Sequence, residues 1–134
     1  LVKCGISIFG GFTDQSWEDP PDQDQYKRSE TAFLFSLRNK DNILPFQCPI
    51  YNLQKSKAIW CNSSWGATFG GGPDLCISDN ANTNQSSYSN LGVTYQPLPG
   101  YLVGTSQIKA LLAGSGNFTP TEVEVFTIKP QSFK

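Results

Sequence analysis

Short apolar segments separated by polar turns run along the whole chain. Residues 31–38 carry apolar side chains on both faces of an alternating pattern, which is typical of a central strand. Residues 121–128 alternate more strictly and predict a final strand with Val123 and Val125 on one face. Further short strands are predicted at residues 6–9, 46–50, 58–62 and 74–78. This spacing predicts a mainly β fold, an antiparallel β-sandwich.

Helical signals are scarce. Only residues 105–112 have helical periodicity, with Thr105 or Ser106 as the N-cap, and Gly114 follows the segment. Two polar segments, residues 13–28 and 78–90, predict surface loops. The sandwich should therefore carry one or two short helices.

Composition supports one folded domain over residues 1–134, because 38% of the residues are apolar and 13% are aromatic. The net charge is -1 and the basic residues are scattered, so no stripe exists that could neutralise a phosphate backbone. We expect no nucleic-acid partner. No apolar run approaches the roughly 20 residues of a transmembrane helix, so we expect no membrane insertion.

The sequence begins at Leu1 without any Met, which predicts that a preceding segment is removed. The four cysteines are even in number and are disulfide candidates: Cys4, Cys48, Cys61 and Cys76. Three glycosylation acceptors occur, at Asn62, Asn84 and Asn117. Together these features predict a secreted, extracellular glycoprotein. The alternative is a cytosolic protein with reduced thiols and chance acceptor sites, and sequence does not choose among the three possible pairings.

No catalytic centre is recognisable. The chain has no histidine, which excludes Ser–His and Cys–His nucleophile systems, and no Cys-x-x-Cys pair. The glycine run at residues 70–72 lacks the following Lys-Ser/Thr of a phosphate loop. Glu122 and Glu124 share a strand face, yet an ion-paired surface explains them better than paired catalysis. We therefore predict that the protein is not an enzyme.

An amide-rich loop is the strongest candidate for binding chemistry. Its amides and carboxylate could bond sugar hydroxyls while nearby aromatic rings pack on the sugar ring. The predicted ligand-binding residues are Trp65, Asp79, Asn80, Asn82, Asn84 and Tyr88. We expect either no cofactor or calcium held by Asp79, Asn80 and Asn82, although the EF-hand spacing is broken. Glycans or glycoproteins are the expected partners, and a homo-oligomer would add avidity.

A set of motifs matches a known family in order and spacing. The motifs are FGGFT at 9–13, SW at 16–17, TAFLFSL at 31–37, CNSSWG at 61–66, FGGG at 69–72, DL at 74–75, SSYSNLG at 86–92, LAGS at 112–115 and FTPTEVEVF at 118–126. Together they resemble the TLDc domain over residues 8–126, and are most similar to TLDc domains that accompany BTB modules. The part of the domain that usually precedes the Phe-Gly-Gly segment is not found in this sequence.

This resemblance implies a β-sandwich flanked by short helices and no defined catalytic reaction. Intracellular members of the family are linked with protection against oxidative stress and with binding to the vacuolar proton pump. Two hypotheses follow. The leading one is a secreted, lectin-like carbohydrate-binding module, and the alternative is a TLDc-type stress-protection or protein-interaction domain.

Overall fold

A computed structural model describes residues 1–19 and 23–128, in which eleven strands form two antiparallel sheets. In chain order the strands are β1 (Val2–Cys4), β2 (Ser7–Phe12), β3 (Gln25–Lys27), β4 (Phe33–Arg38), β5 (Phe46–Pro49), β6 (Ile59–Cys61), β7 (Thr68–Phe69), β8 (Leu75–Cys76), β9 (Ser87–Ser89), β10 (Asn117–Phe118) and β11 (Glu122–Val123). Sheet A has the order β11-β1-β2-β4-β5, and sheet B has the order β10-β9-β8-β7-β6-β3.

The helices in the described residues are short. Helix α1 spans Ser106–Lys109, and its N-cap Thr105 accepts a hydrogen bond from the amide of Ile108 through its side chain. It is shorter than predicted because residues 110–113 continue as turns. Two 3-10 helices cover Asn52–Lys57 and Ala81–Thr83.

The hydrophobic core lies between the two sheets. Sheet A contributes Phe9 and Leu34, and sheet B contributes Ile59 and Leu75, all almost fully buried. The ring of Phe118 meets Phe9 edge to face, with 5.4 Å between the ring centres. The predicted mainly β sandwich is therefore confirmed, since each strand buries one face in a shared core.

A buried carboxylate holds the loop that follows β9 onto the turn that precedes β8. Asp74 is fully buried and accepts hydrogen bonds from four successive backbone amides. The donors and distances are Gly92 at 3.1 Å, Val93 at 3.0 Å, Thr94 at 2.9 Å and Tyr95 at 3.0 Å. Burial raises the pKa of Asp74, and the four amide donors act in the opposite direction.

Some segments differ from their predicted structure. The polar segments 13–28 and 78–90 contain β3 and β9, with Ser87 and Ser89 buried against the core, while residues 20–22 lie outside the described residues. Small serines tolerate burial when their strand is paired, and composition alone could not show this. The final strand was predicted over 121–128 but covers Glu122–Val123 only. Its last backbone bonds join Glu124 to Leu1, and residues 125–128 face no described strand.

The structure shows no disulfide, because all four cysteines are free thiols, and disulfide pairing stays a prediction. They lie on four strands, and no two of them are opposite one another in the strand register. Cys61 and Cys76 are separated in sheet B by β7, and Cys48 lies in sheet A.

The thiols should be unreactive in the folded protein. Burial raises the pKa of Cys48 to about 12 and raises the pKa of Cys4 and Cys76 above the ordinary value. We expect native protein at pH 8 to react with a thiol reagent at less than about a hundredth of the rate of a free cysteine. Denatured, unreduced protein should titrate as four thiols. Fewer than four would contradict the free-thiol assignment.

Candidate aromatic binding surface

The outer face of sheet B carries aromatic side chains. Along β6, Ile59 and Cys61 point into the core, so the intervening Trp60 points outward. Tyr26 of β3 is paired opposite Trp60, and the two rings stack with their centres 6.3 Å apart. The edge strand β3 thus extends an aromatic surface that begins on β6.

Trp65 joins this surface to β9. It lies in the loop between β6 and β7, and its ring meets Trp60 at 5.3 Å and Tyr88 at 6.1 Å, both edge to face. We call the row of Tyr26, Trp60, Trp65 and Tyr88 the aromatic strip. Tyr26 is 42% exposed and Trp65 is 37% exposed, while the other two rings are half-buried.

The loop that presents Trp65 is held by close backbone packing. A Cβ atom at Gly66 would lie 2.2 Å from the carbonyl oxygen of Ile77, so only glycine fits there. The amide of Ile77 donates to the carbonyl of Ala67 at 2.8 Å, and Asn62 accepts from the amide of Ser64 at 2.7 Å. The Asn-Ser-Ser-Trp-Gly sequence therefore builds a fixed platform for the indole.

Electrostatics along the strip are mild. The Lys57 ammonium lies 5.8 Å from the centre of the Tyr26 ring, within range of a cation–π interaction. Burial raises the pKa of Tyr88 to about 12, with a smaller contribution from Cys76, so its phenol is neutral at pH 7. The strip is therefore apolar in its body, with hydroxyl and indole N–H groups as polar handles.

The amide-rich loop is largely bonded to itself. The Asn84 side chain accepts from the Ser78 hydroxyl and the Ser86 amide, and donates to the carbonyls of Asp79 and Asn80. Asn80 has a positive φ of 51°, and its carbonyl also receives the amide of Thr83. Asn84 thus braces the loop, while Asp79, Asn80 and Asn82 are exposed.

The structure brings together only part of the predicted site. Trp65 and Tyr88 are neighbours, as the carbohydrate hypothesis requires. Two further members of the strip, Tyr26 and Trp60, were not predicted. The predicted strand over residues 58–62 could have placed Trp60 on the opposite face from Ile59 and Cys61, whereas Tyr26 lies in a polar segment.

The remaining predicted residues lie in different settings. Of the glycosylation candidates, Asn62 donates to Asp24 at 2.6 Å and Asn117 is exposed and donates to the carbonyl of Gln85. Residues 1–19 and 23–128 contain no group of three or more His, Cys, Asp or Glu side chains arranged to hold a metal ion. Calcium binding stays a prediction.

Comparison with protein families gives one finding. The family model of the TLDc domain matches residues 1–129, which is nearly the whole chain. The chain belongs to the TLDc family. Comparison with curated proteins and with solved structures finds no match. The resemblance of the motifs to the TLDc domain is thereby confirmed, the association with BTB modules and the missing N-terminal part stay predictions, and the aromatic strip is a surface of a TLDc domain.

Glu122 of β11 occupies an ion-paired surface in this TLDc domain. Glu122 lies 3.1 Å from the ammonium of Lys3 on the neighbouring strand. The ammonium holds the pKa of Glu122 below its ordinary value, which suits a permanently ionised surface group. A general acid needs a raised pKa, so Glu122 is unsuited to that role.

The helices in residues 1–19 and 23–128 were compared with the requirements of a transmembrane helix. None of them has the length and hydrophobicity that such a helix needs.

Proposed function

We propose that this TLDc domain is a non-enzymatic protein-interaction module whose contact surface is the aromatic strip. Family membership supports the protein-interaction class. The composition of the strip supports its location, because tryptophan and tyrosine dominate binding hot spots. Each combines a large apolar area with a polar group, and each loses little conformational entropy when it is fixed.

Preorganisation is the second argument for the strip. Each ring touches its neighbour in the row, with centre-to-centre distances of 5.3 to 6.3 Å. A partner would therefore meet side chains that are already ordered, which lowers the entropic cost of association. The strip also lies on paired strands and on the fixed loop of Trp65, so the backbone beneath it has little freedom to move.

Other apolar surfaces do not combine tryptophan and tyrosine rings with packing on paired strands. Val125 and Phe126 are 90% and 72% exposed, but they lie beyond the last paired residue of β11. On the outer face of sheet A, Phe12, Phe33 and Phe35 form a half-buried cluster without polar handles. Both are alternatives that an experiment can separate from the strip.

The test uses the partner class associated with intracellular TLDc proteins, a purified eukaryotic vacuolar proton pump. Immobilised domain should bind the pump, and Trp60→Ala or Trp65→Ala should each weaken the affinity by about tenfold or more. Leu44→Ala is the matched control, since Leu44 is 82% exposed on the loop between β4 and β5. Its affinity should match that of the unmodified domain.

The proposal would be contradicted if both tryptophan variants, shown to be folded by circular dichroism, bound as tightly as Leu44→Ala. Absence of any binding by the unmodified domain would exclude the pump as partner. In that case the same four proteins would be compared for capture from an extract. A protein captured by all four equally would count against the strip.

A second candidate is the secreted, carbohydrate-binding module. It is favoured by one observation, the exposed Trp65 ring beside Tyr88 and the exposed amides of Asn80 and Asn82. A glycan array with calcium and again with a chelator tests it. Selective glycan binding that Trp65→Ala abolishes would support it, and a blank array would count against it. Secretion itself is tested by whether the precursor carries a cleaved signal peptide.

A further inference from the structure

A cavity of about 180 Å³ lies directly beside the aromatic strip. Two indole rings line it, those of Trp17 and Trp65, together with the carboxylate-bearing residues Glu18 and Asp19 and the amide of Asn62. The cavity is therefore walled by aromatic rings and edged with negative charge.

Its aromatic walls are fixed in place. The indole nitrogen of Trp17 donates to the carbonyl of Thr68 at 3.1 Å, and its ring meets Phe69 edge to face at 5.1 Å. Trp65 is held by Trp60 and by the packed loop described above. A group entering the cavity would thus find two rings whose orientation is already set.

The charge at the rim is negative. The carboxylate of Glu18 lies 3.2 Å from the Lys27 ammonium, which largely compensates its negative charge. Lys27 also donates to the carbonyl of Ser16, which keeps its ammonium at that end of the segment. Asp19 is exposed, and the side chain of Asn62, a lining residue, donates a hydrogen bond to Asp24. Among the described residues that line the cavity, the charged ones are Glu18 and Asp19, and their negative charge favours a cation over an anion.

We infer that this cavity binds one arginine side chain of the protein partner, seated between the two indoles and paired with Asp19. The inference rests on the proposed function and names the side chain that its contact surface recognises. A guanidinium stacks on an indole face and pairs with a carboxylate through two parallel N–H bonds. A lysine ammonium is more strongly hydrated and lacks the planar fork.

Size and position favour a side chain over a free ligand. The volume lies below the roughly 300–1,000 Å³ of typical small-molecule sites. Trp65 belongs both to the cavity and to the strip, so a partner lying on the strip would reach the cavity with one projecting residue. Binding at such a subsite would orient the partner as well as hold it.

The probe is N-acetyl-arginine amide, titrated into nitrogen-15-labelled domain. The indole N–H signals of Trp17 and Trp65 should shift saturably, with a Kd of about 1–10 mM. N-acetyl-citrulline amide has nearly the same shape without the charge, and should bind at least about tenfold more weakly. Asp19→Asn should weaken arginine binding about three- to fivefold, and Trp65→Leu about fivefold.

The matched control is Asp41→Asn. Asp41 is an exposed carboxylate that accepts a hydrogen bond from the Tyr101 hydroxyl, away from the cavity, and an amide preserves that bond. This variant should bind arginine amide like the unmodified domain. Equal binding of arginine and citrulline amides, or no effect of Asp19→Asn relative to Asp41→Asn, would overturn the inference.

Two further outcomes separate the inference from the proposed function. If tetramethylammonium binds more tightly than arginine amide, the cavity is a site for a quaternary ammonium compound and the arginine assignment is wrong. If arginine amide does not bind while Trp60→Ala still weakens partner binding, the inference fails and the proposed contact surface stands. If arginine amide binds as expected while Trp60→Ala, which leaves the cavity lining intact, does not weaken partner binding, the proposed function is contradicted instead.

Discussion

Replacing Asp74 by alanine should lower the free energy of unfolding by about 4 kcal/mol. This is the largest effect on stability that we expect from a single substitution at a buried residue. The carboxylate is fully buried and collects the amides of Gly92, Val93, Thr94 and Tyr95. Alanine leaves these amides without partners inside the protein, and each orphaned amide costs about 1–3 kcal/mol. Relief of the cost of burying a charge offsets part of that loss.

Urea denaturation followed by tryptophan fluorescence measures this effect. Asp74→Asn should lose less, about 2 kcal/mol, because the amide oxygen can replace one carboxylate oxygen while the NH₂ group cannot accept. Asp79→Ala is the control, since Asp79 is exposed and carries no comparable set of bonds. A loss below about 1 kcal/mol for Asp74→Ala would mean that water replaces the carboxylate, and the assigned role would be wrong.

The second large effect is expected at Gly11. A Cβ atom there would lie 2.5 Å from the Phe69 ring, which is nearly fully buried. The ring has little room to retreat, because Trp17 and Tyr95 flank it at 5.1 and 6.2 Å. Gly11→Ala should therefore destabilise the fold by about 2 kcal/mol through overpacking, despite alanine's better intrinsic stability in a strand.

A double-mutant cycle identifies the cause. Phe69→Leu removes the clashing ring, so the two substitutions together should cost clearly less than the sum of their separate effects. Gly116→Ala is the matched control, since its Cβ would meet only the Lys109 side chain at an ordinary 3.6 Å. Strict additivity of Gly11→Ala and Phe69→Leu would exclude the proposed clash.

Much of the fold could be predicted from the sequence. The apolar residues 31–38 and the short apolar segments around Phe46, Ile59 and Leu75 correspond to strands in the structure. These segments could be predicted because short apolar runs bounded by polar turns are typical of strands. The strands with few apolar residues, β3 and β9, were missed because backbone pairing defines them.

The candidate site was less predictable. Trp65 and Tyr88 were selected for their nearness to the amide-rich loop, whereas their contact depends on the loop between β6 and β7 folding over the sheet. Asn84 illustrates the opposite error, since its amide looks like a ligand in the sequence and braces the loop in the structure. Hydrogen-bond partners across a loop leave no periodic signal.

Hydrogen exchange of the domain with and without its bound partner tests the central claim most directly. The account predicts slower exchange in β3, β6 and β9 and in the loop carrying Trp65, with little change in β4 and β5. Protection confined to the outer face of sheet A around Phe33 and Phe35, or to residues 124–128, would contradict it and place the contact surface elsewhere on the TLDc domain.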